Sequence, residues 1–349
     1  MASLLKQRKI SNTMRLMSDQ MRISVIVATF NRSNMLRDCI ESLLNQTLDP
    51  TLYEVIIVDN NSKDATRETV NGYLGLERYN VRYVLETRPG AHYARNTGAK
   101  SAQGAILAFT DDDAVCHERW LEAFLRAYDD EEIGCAGGKI IVKWDKDPPA
   151  WVSSYHSFGQ VDETTSRWPD RPLGSTLRIL QPEEEILILG GNCSTRKSIF
   201  FELGGFGEDQ VGEVRAGEAE TGLWIKARKK GIKIAWIPDA IVWHVQLVSK
   251  NATLSDVKRR YANWGAGSTC VSYLENPRGR LSLFVSAVRS FGGGVCYKAY
   301  AAVDRVMGAQ SFYSNELLSV YYLNKAQVEL NLAFSKRKRE LVLRENWLE

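Results

Sequence analysis

Four short apolar runs, Ile23–Ala28, Glu54–Val58, Val81–Leu85 and Ala105–Phe109, recur along the first third of the chain, each followed by a helical pattern. Runs this apolar, rich in Val and Ile, suit strands buried on both faces. Strands alternating with helices at this spacing imply a mostly parallel sheet flanked by helices. Ser33 is placed to cap a first helix whose face is Leu36, Ile40, Leu43 and Leu44. A short helix is expected over 63–74, and a small-residue helix over 91–102.

Beyond Tyr128 the rhythm loosens. A strand is expected around Ile140, then a Pro- and Trp-bearing stretch over 145–182, too long for a structureless connector inside a compact domain. That length predicts a substrate-facing excursion or lid. Strands over 185–189 and 232–237 and helices over 196–203 and 219–230 follow. The last hundred residues read as a helical appendage, closing in Lys336-Arg337-Lys338-Arg339. The polar residues 1–20 read as a disordered leader, leaving 21–250 as an α/β domain and 251–349 as a C-terminal helical region.

Composition excludes several classes. Lys and Arg total 45 against 42 acids, a net charge of +3, too balanced for gripping nucleic acid along a broad face. Six cysteines lack any C-x-x-C pair, and no signal peptide is evident, which predicts reduced thiols and a cytoplasmic location. No apolar run approaches the ~20 residues needed to span a bilayer. The most apolar late stretch, Leu281 to Val303, is broken by Arg289 and Lys298. A soluble or peripheral protein is therefore expected.

In open parallel sheets, ligands bind beyond the carboxyl ends of the strands. Those ends carry Thr29-Phe30-Asn31-Arg32, then Asp59-Asn60-Asn61-Ser62, then Arg88-Pro89-Gly90 with Arg95-Asn96, then Thr110-Asp111-Asp112-Asp113. No G-x-G-x-x-G follows the first strand and no G-x-x-x-x-G-K-[ST] exists, so a nucleotide would be held by side chains and a metal. Three successive aspartates after an apolar strand cannot all be buried unpaired. They suit an oxygen-ligand site for Mn2+ or Mg2+, with a solvated turn in which Asp113 caps the next helix as the alternative. Arg88 and Arg95 would suit a pyrophosphate, or form surface ion pairs.

The run T-F-N-R, V-D-N-N-S-K-D, A-R-N-T-G-A and A-F-T-D-D-D-A, then W-L-E, resembles the bacterial family-two inverting glycosyltransferases of GT-A fold. The later G-G-N-C-S-T-R, G-G-F-G-E, G-E-A-E-T-G-L and I-P-D-A-I-V-W-H resemble the acceptor half of those enzymes. Together they cover about 21–245, and nothing after about 250 is diagnostic. The resemblance implies that Thr29, Asn31 and Arg32 sit beside the nucleotide with Asn60, and that Asp59 hydrogen-bonds the base, typically uracil. It places Arg95 near the ribose or diphosphate and Asn192 beside the donor sugar. Asp111-Asp112-Asp113 becomes the D-x-D motif, with Asp111 toward ribose and metal and Asp113 on the metal. His244 would close the metal site; without the family, a packed core histidine reads equally well.

The resemblance also implies a catalytic carboxylate as the second acid of a G-E-D stretch. Here the residues are Gly217-Glu218-Ala219-Glu220. Registering on the helix, with Leu223 and Ala227 as its buried face, puts Glu220 in that slot, while registering on the glycine leaves Glu218 as second choice. Either acid could instead serve a helix's first turn through the dipole.

Trp144, Trp151, Tyr155 and Trp168 could stack on a sugar or pack the excursion down. The basic run 336–339 could touch an anionic membrane at the cytoplasmic face, or be a solvated helix face. The expectation is a metal-dependent, non-processive transferase moving one sugar from a UDP-linked donor to a glycan or lipid-linked acceptor in envelope or exopolysaccharide synthesis. The alternatives are a lapsed nucleotide-sugar-binding subunit, which the degenerate G-E-A-E favours, and a nucleotidyltransferase, which would need a Gly-rich loop after the first strand. Donor sugar, linkage and oligomeric state are not encoded in any motif.

Overall fold

The computed structural model describes residues 21–153, 167–168, 171–172, 176–181, 184, 188–207, 210–211, 214–215 and 219–348. The expected leader, Glu218 and Tyr155 lie outside the described residues, as does the side chain of Trp168.

The strands are β1 (Ile23–Thr29), β2 (Tyr53–Asp59), β3 (Val81–Leu85), β4 (Ile106–Asp111), β5 (Ala114–Cys116), β6 (Ile133–Trp144), β7 (Arg178–Ile179), β8 (Asn192–Arg196) and β9 (Lys233–Gln246). They form one sheet in the order β3-β2-β1-β4-β8-β6-β9-β5, with β7 on β9. The first four strands are parallel, as their spacing implies. Side chains alternate across them: Ile23, Val25 and Val27 enter one core, whereas Ile26, Ile56 and Val58 enter the other.

Helix α1 (Ser33–Leu44) buries Leu36, Cys39, Ile40 and Leu43 on the first face, beside α4 (Trp120–Ala127). Arg32 rather than Ser33 precedes the helix, and neither side chain caps it. The Asp64 carboxylate accepts from the Ser33 N–H at 3.0 Å instead. A second helix, α2 (Thr66–Asn71), is shorter than the predicted 63–74. The opposite face carries α3 (Ala91–Ser101), α6 (Lys197–Glu202) and α7 (Ala219–Lys229), while α5 (Ala150–Ser153) begins the excursion. Close packing explains the small residues of α3: a Cβ on Gly98 would stand 2.5 Å from Ile26 and 2.9 Å from Val58.

Of the strand expected at 185–189, residues 185–187 lie outside the described residues; 188 and 189 are not strand, and the ladder begins at Asn192. This β8 is antiparallel to both β4 and β6. It therefore starts where β1, β2 and β4 end, and brings Gly190-Gly191 to the same polar edge. Strand β9 outlasts its predicted span, continuing after an irregularity between Ile237 and Ile241 to Gln246.

After a single helical turn at Val248–Asn251 come α8 (Leu254–Glu275), α9 (Arg280–Met307), α10 (Ser311–Phe334) and α11 (Lys336–Val342). Thr253 caps α8 by accepting from the Asp256 N–H, and Gly308, at φ 66°, ends α9 in the left-handed conformation. Segment 344–348 then returns to the second core, against α3, α7 and the loop after α6. The Trp347 N–H donates to Gly204 O at 2.7 Å, Lys226 donates to Glu345 O at 2.9 Å, and Leu348 packs against the second core.

Candidate active site

The aspartate triplet is split by geometry into a half-buried Asp111 and two buried acids, Asp112 and Asp113. Asp112 is buried, accepting from Thr29 Oγ1 at 2.8 Å and from Arg32 Nη1 at 2.9 Å. Burial pushes its carboxyl up to about 6, against the pull of Arg32. Thr29 and Arg32, expected beside the nucleotide, are thus engaged with the triplet itself. Arg32 also reaches Asp113 Oδ2 at 2.8 Å.

Strand pairing delivers His244. β5 follows the triplet directly and pairs antiparallel with β9, with His244 opposite Ala114. The Val245 N–H donates to Asp113 O at 2.8 Å, and His244 Nε2 lies 2.9 Å from Asp113 Oδ1. Burial opposes ionisation at both groups, yet their mutual hydrogen bond and charge lower Asp113 below its ordinary value and raise His244 above its own. One ligand atom each from Asp111, Asp113 and His244 lies within 4.8 Å of the others. Two carboxylates and an imidazole form a donor set that fits Mn2+ or Mg2+, the nitrogen favouring Mn2+.

Beyond Asp111 the site runs toward α7. Arg95, buried on α3, donates through Nη2 to Asp111 Oδ1 at 2.7 Å. Glu220, in the first turn of α7, accepts from the Gly190 N–H at 3.0 Å through Oε1. A Cβ on Gly190 would stand 3.0 Å from Glu220 Oε1 and 3.1 Å from Arg95 Nη1, and one on Gly191 would press into Asp111. The glycine doublet lets the backbone pass between these charged groups. Its role was missed in the sequence, although two glycines immediately before a strand are a visible signal. Gln246, whose Nε2 lies 3.1 Å from His244 Nδ1, was also missed; the period of two along β9 would have placed it on the same face.

The remaining predicted residues build the walls. Asp59 accepts from the Ser62 N–H and the Tyr83 hydroxyl, both at 2.8 Å. Asn31, at φ 53°, stitches two loops together, its N–H donating to Ser62 Oγ at 2.9 Å and its Oδ1 accepting from the Lys63 N–H at 2.7 Å. Asn60 donates to Glu86 O and Arg88 O and accepts from the Gly90 N–H. Arg88 is paired with Glu86, donating through Nε at 3.1 Å and Nη2 at 2.8 Å. Asn192, expected beside the donor sugar, is instead fully buried. It accepts from Trp120 Nε1 at 2.8 Å and donates to Lys139 O and Ala240 O, so its amide is spent inside the sheet. Trp151 stacks on Tyr313 of α10 at 4.5 Å, the packing alternative among its two readings.

The Arg88 pair, with bonds from the Arg88 N–H and Thr97, draws the Glu86 carboxyl down to about 2 from an ordinary 4.5. A depressed folded-state value contributes stability above pH 4.5 that is lost as pH falls toward 2. A Glu86→Gln protein is therefore expected to show a flatter decline of melting temperature across that acid range. An unchanged slope would remove Glu86 from the acid sensitivity.

Residues 24–204, more than half of the chain, match Glycosyl transferase family 2, and the protein belongs to that family. Among its relatives, Glycosyltransferase AglE of Haloferax volcanii is 33% identical over 148 residues, 42% of this chain and 48% of the relative. The poly(ribitol-phosphate) beta-N-acetylglucosaminyltransferase TarP of Staphylococcus aureus is 39% identical over 103 residues, 29% of this chain and 31% of that one. The chain spans less than half the length of these two relatives. Two solved structures share the GT-A fold. Mannosyltransferase PcManGT from Pyrobaculum calidifontis, in complex with GDP-Man and Mn2+, superposes with TM-score 0.54 at 18% identity, covering 88% of this chain and 86% of its own. S. aureus TarS 1-349 in complex with UDP superposes with TM-score 0.50 at 16% identity, covering 91% of each chain.

Proposed function

We propose that the protein is a metal-dependent, inverting, non-processive glycosyltransferase. It moves one sugar from a nucleotide-sugar, UDP-linked, to a glycan or lipid-linked acceptor in envelope or polysaccharide synthesis. The observation that carries the reading is the line Asp113, His244, Asp111, Arg95, Gly190, Glu220 along one sheet edge. It sets a cation site at one end and a carboxylate at the other, with an arginine between. The UDP and GDP-Man bound by the two solved neighbours support a nucleotide-linked donor, and the poly(ribitol-phosphate) in the name of TarP supports an envelope glycan acceptor.

In this reading Asp111, Asp113 and His244 would hold Mn2+ or Mg2+, which when bound neutralises charge on the diphosphate. Arg32 holds the Asp113 carboxylate, and Thr29 and Arg32 turn Asp112 away from the ligand. Arg95 orients Asp111 and adds positive charge beside the diphosphate. Glu220 takes the proton of the acceptor hydroxyl as that oxygen bonds to the anomeric carbon. The anomeric C–O bond to the diphosphate breaks on the opposite face, so the nucleoside diphosphate leaves and the configuration inverts. Asp59 and Asn60 shape the nucleotide pocket through the loops they fix.

Calorimetric titration of UDP, GDP and CDP, with and without Mn2+, tests the donor site. The expected result is Mn2+-dependent binding of UDP. No binding of any nucleotide under any metal would overturn the reading and leave family membership alone.

A further inference from the structure

Helix α9 buries Leu283, Ala287, Gly294 and Ala301 with Ser290. Polar pairs also join it to α10: Ser286 and Ser290 donate to the buried Glu329 at 2.5 and 2.8 Å. Lys298 donates to Glu316 at 2.5 Å, and Asp304 accepts from Asn315 at 2.7 Å. Its outward side is apolar. Leu281, Phe284, Val288, Phe291 and Val295 recur at intervals of three and four, Val306 continues the line, and all are exposed, Leu281 by 76%, Val288 and Phe291 by 56%, Val306 by 89%. At 3.6 residues per turn they form a single stripe. Phe334 of α10, also exposed, touches Phe284 and widens it.

Cations edge the stripe on both sides. Exposed Arg305 falls along one margin, with Arg280, which donates to Ala333 O, and Lys298, which pairs with Glu316, and exposed Arg289 falls along the other, while Asp304, the one acid of the helix, is held toward α10. Exposed Lys336 and Arg337 follow Phe334 directly. A second copy of the chain would set like charges against each other, because either way of pairing two such helices brings cationic margins together. An anionic bilayer satisfies both features, taking the apolar stripe below its headgroups and the cations among them. No helix among the described residues is long and apolar enough to cross a membrane. We infer that α9 lies in the plane of an anionic phospholipid surface and docks the protein there. This inference stands apart from the donor site and does not depend on it.

The test is sedimentation of the full chain with vesicles of phosphatidylcholine alone, and with about one third phosphatidylglycerol. Binding is expected only to the anionic vesicles, and salt should weaken it. Val288→Glu and Phe291→Glu, both at exposed positions, should each lower vesicle affinity about tenfold or more while leaving the circular dichroism spectrum unchanged. Absence of vesicle binding overturns the inference, as does binding undiminished in both variants. A dimer in analytical ultracentrifugation that these substitutions dissociate, without vesicle binding, would assign the face to a second copy instead.

Discussion

Asp113→Ala is expected to abolish Mn2+-dependent nucleotide binding, with affinity falling by at least about a hundredfold. Groups one shell removed from a metal already cost about 10–100-fold when lost. Asp113 touches three of the site's supports at once: its carboxylate meets His244 Nε2 and Arg32, and its carbonyl receives the Val245 N–H. Alanine keeps the last of these, so the β5–β9 pairing should survive and the loss should fall on the ligand site. Arg32 retains Asp112 at 2.9 Å, which limits collapse. Calorimetry of the variant with UDP and Mn2+, beside its melting temperature, reads both effects. Wild-type affinity in a folded variant would remove the triplet from the donor site. Asp112→Asn is the informative companion, because Asp112 faces Thr29 and Arg32, and its change should disturb metal binding far less.

Glu220→Gln should lower kcat by about 10²–10⁴, the usual contribution of a positioned general base. Its affinity for nucleotide should barely change. Gln keeps the carbonyl oxygen that accepts from the Gly190 N–H and fills the same space beside Arg95, so the variant removes proton acceptance and little else. Turnover measured at saturating donor, with nucleotide affinity determined in parallel, separates the two quantities. Full turnover in Glu220→Ala would end the assignment of Glu220 as base without touching the family.

What the sequence made legible follows the range of the interactions. The four parallel strands and the polar clusters at their ends rest on local periodicity, and each stands where the pattern put it. Local pattern fails where partners are distant. The contact of His244 with Asp113 spans 131 residues and depends on β5, a strand of three residues that no periodicity reveals. Antiparallel β8 carries no strand pattern in the sequence, because three of its first four residues, Asn192-Cys193-Ser194-Thr195, are polar. Their polar groups are instead satisfied inside, Asn192 by Trp120, Lys139 and Ala240, and Ser194 by Tyr128 at 3.0 Å. For Arg88 the ion-pair alternative is the one the structure shows, with Glu86 only two residues away.

The return of segment 344–348 to the second core changes the statistics of everything between. Residues 247–343 leave the sheet at the end of β9, and the chain comes back where Trp347 meets Gly204 and Asn96 of α3 reaches Trp347 O at 3.4 Å. The helical region is therefore a closed loop rather than a pendant. Closing a loop of this length costs entropy that grows only slowly with length, and freeing either end would restore it as independent motion of the helices. Asn96 is the neighbour of Arg95 in α3, so the knot that closes the loop is tied one residue from the arginine facing Asp111.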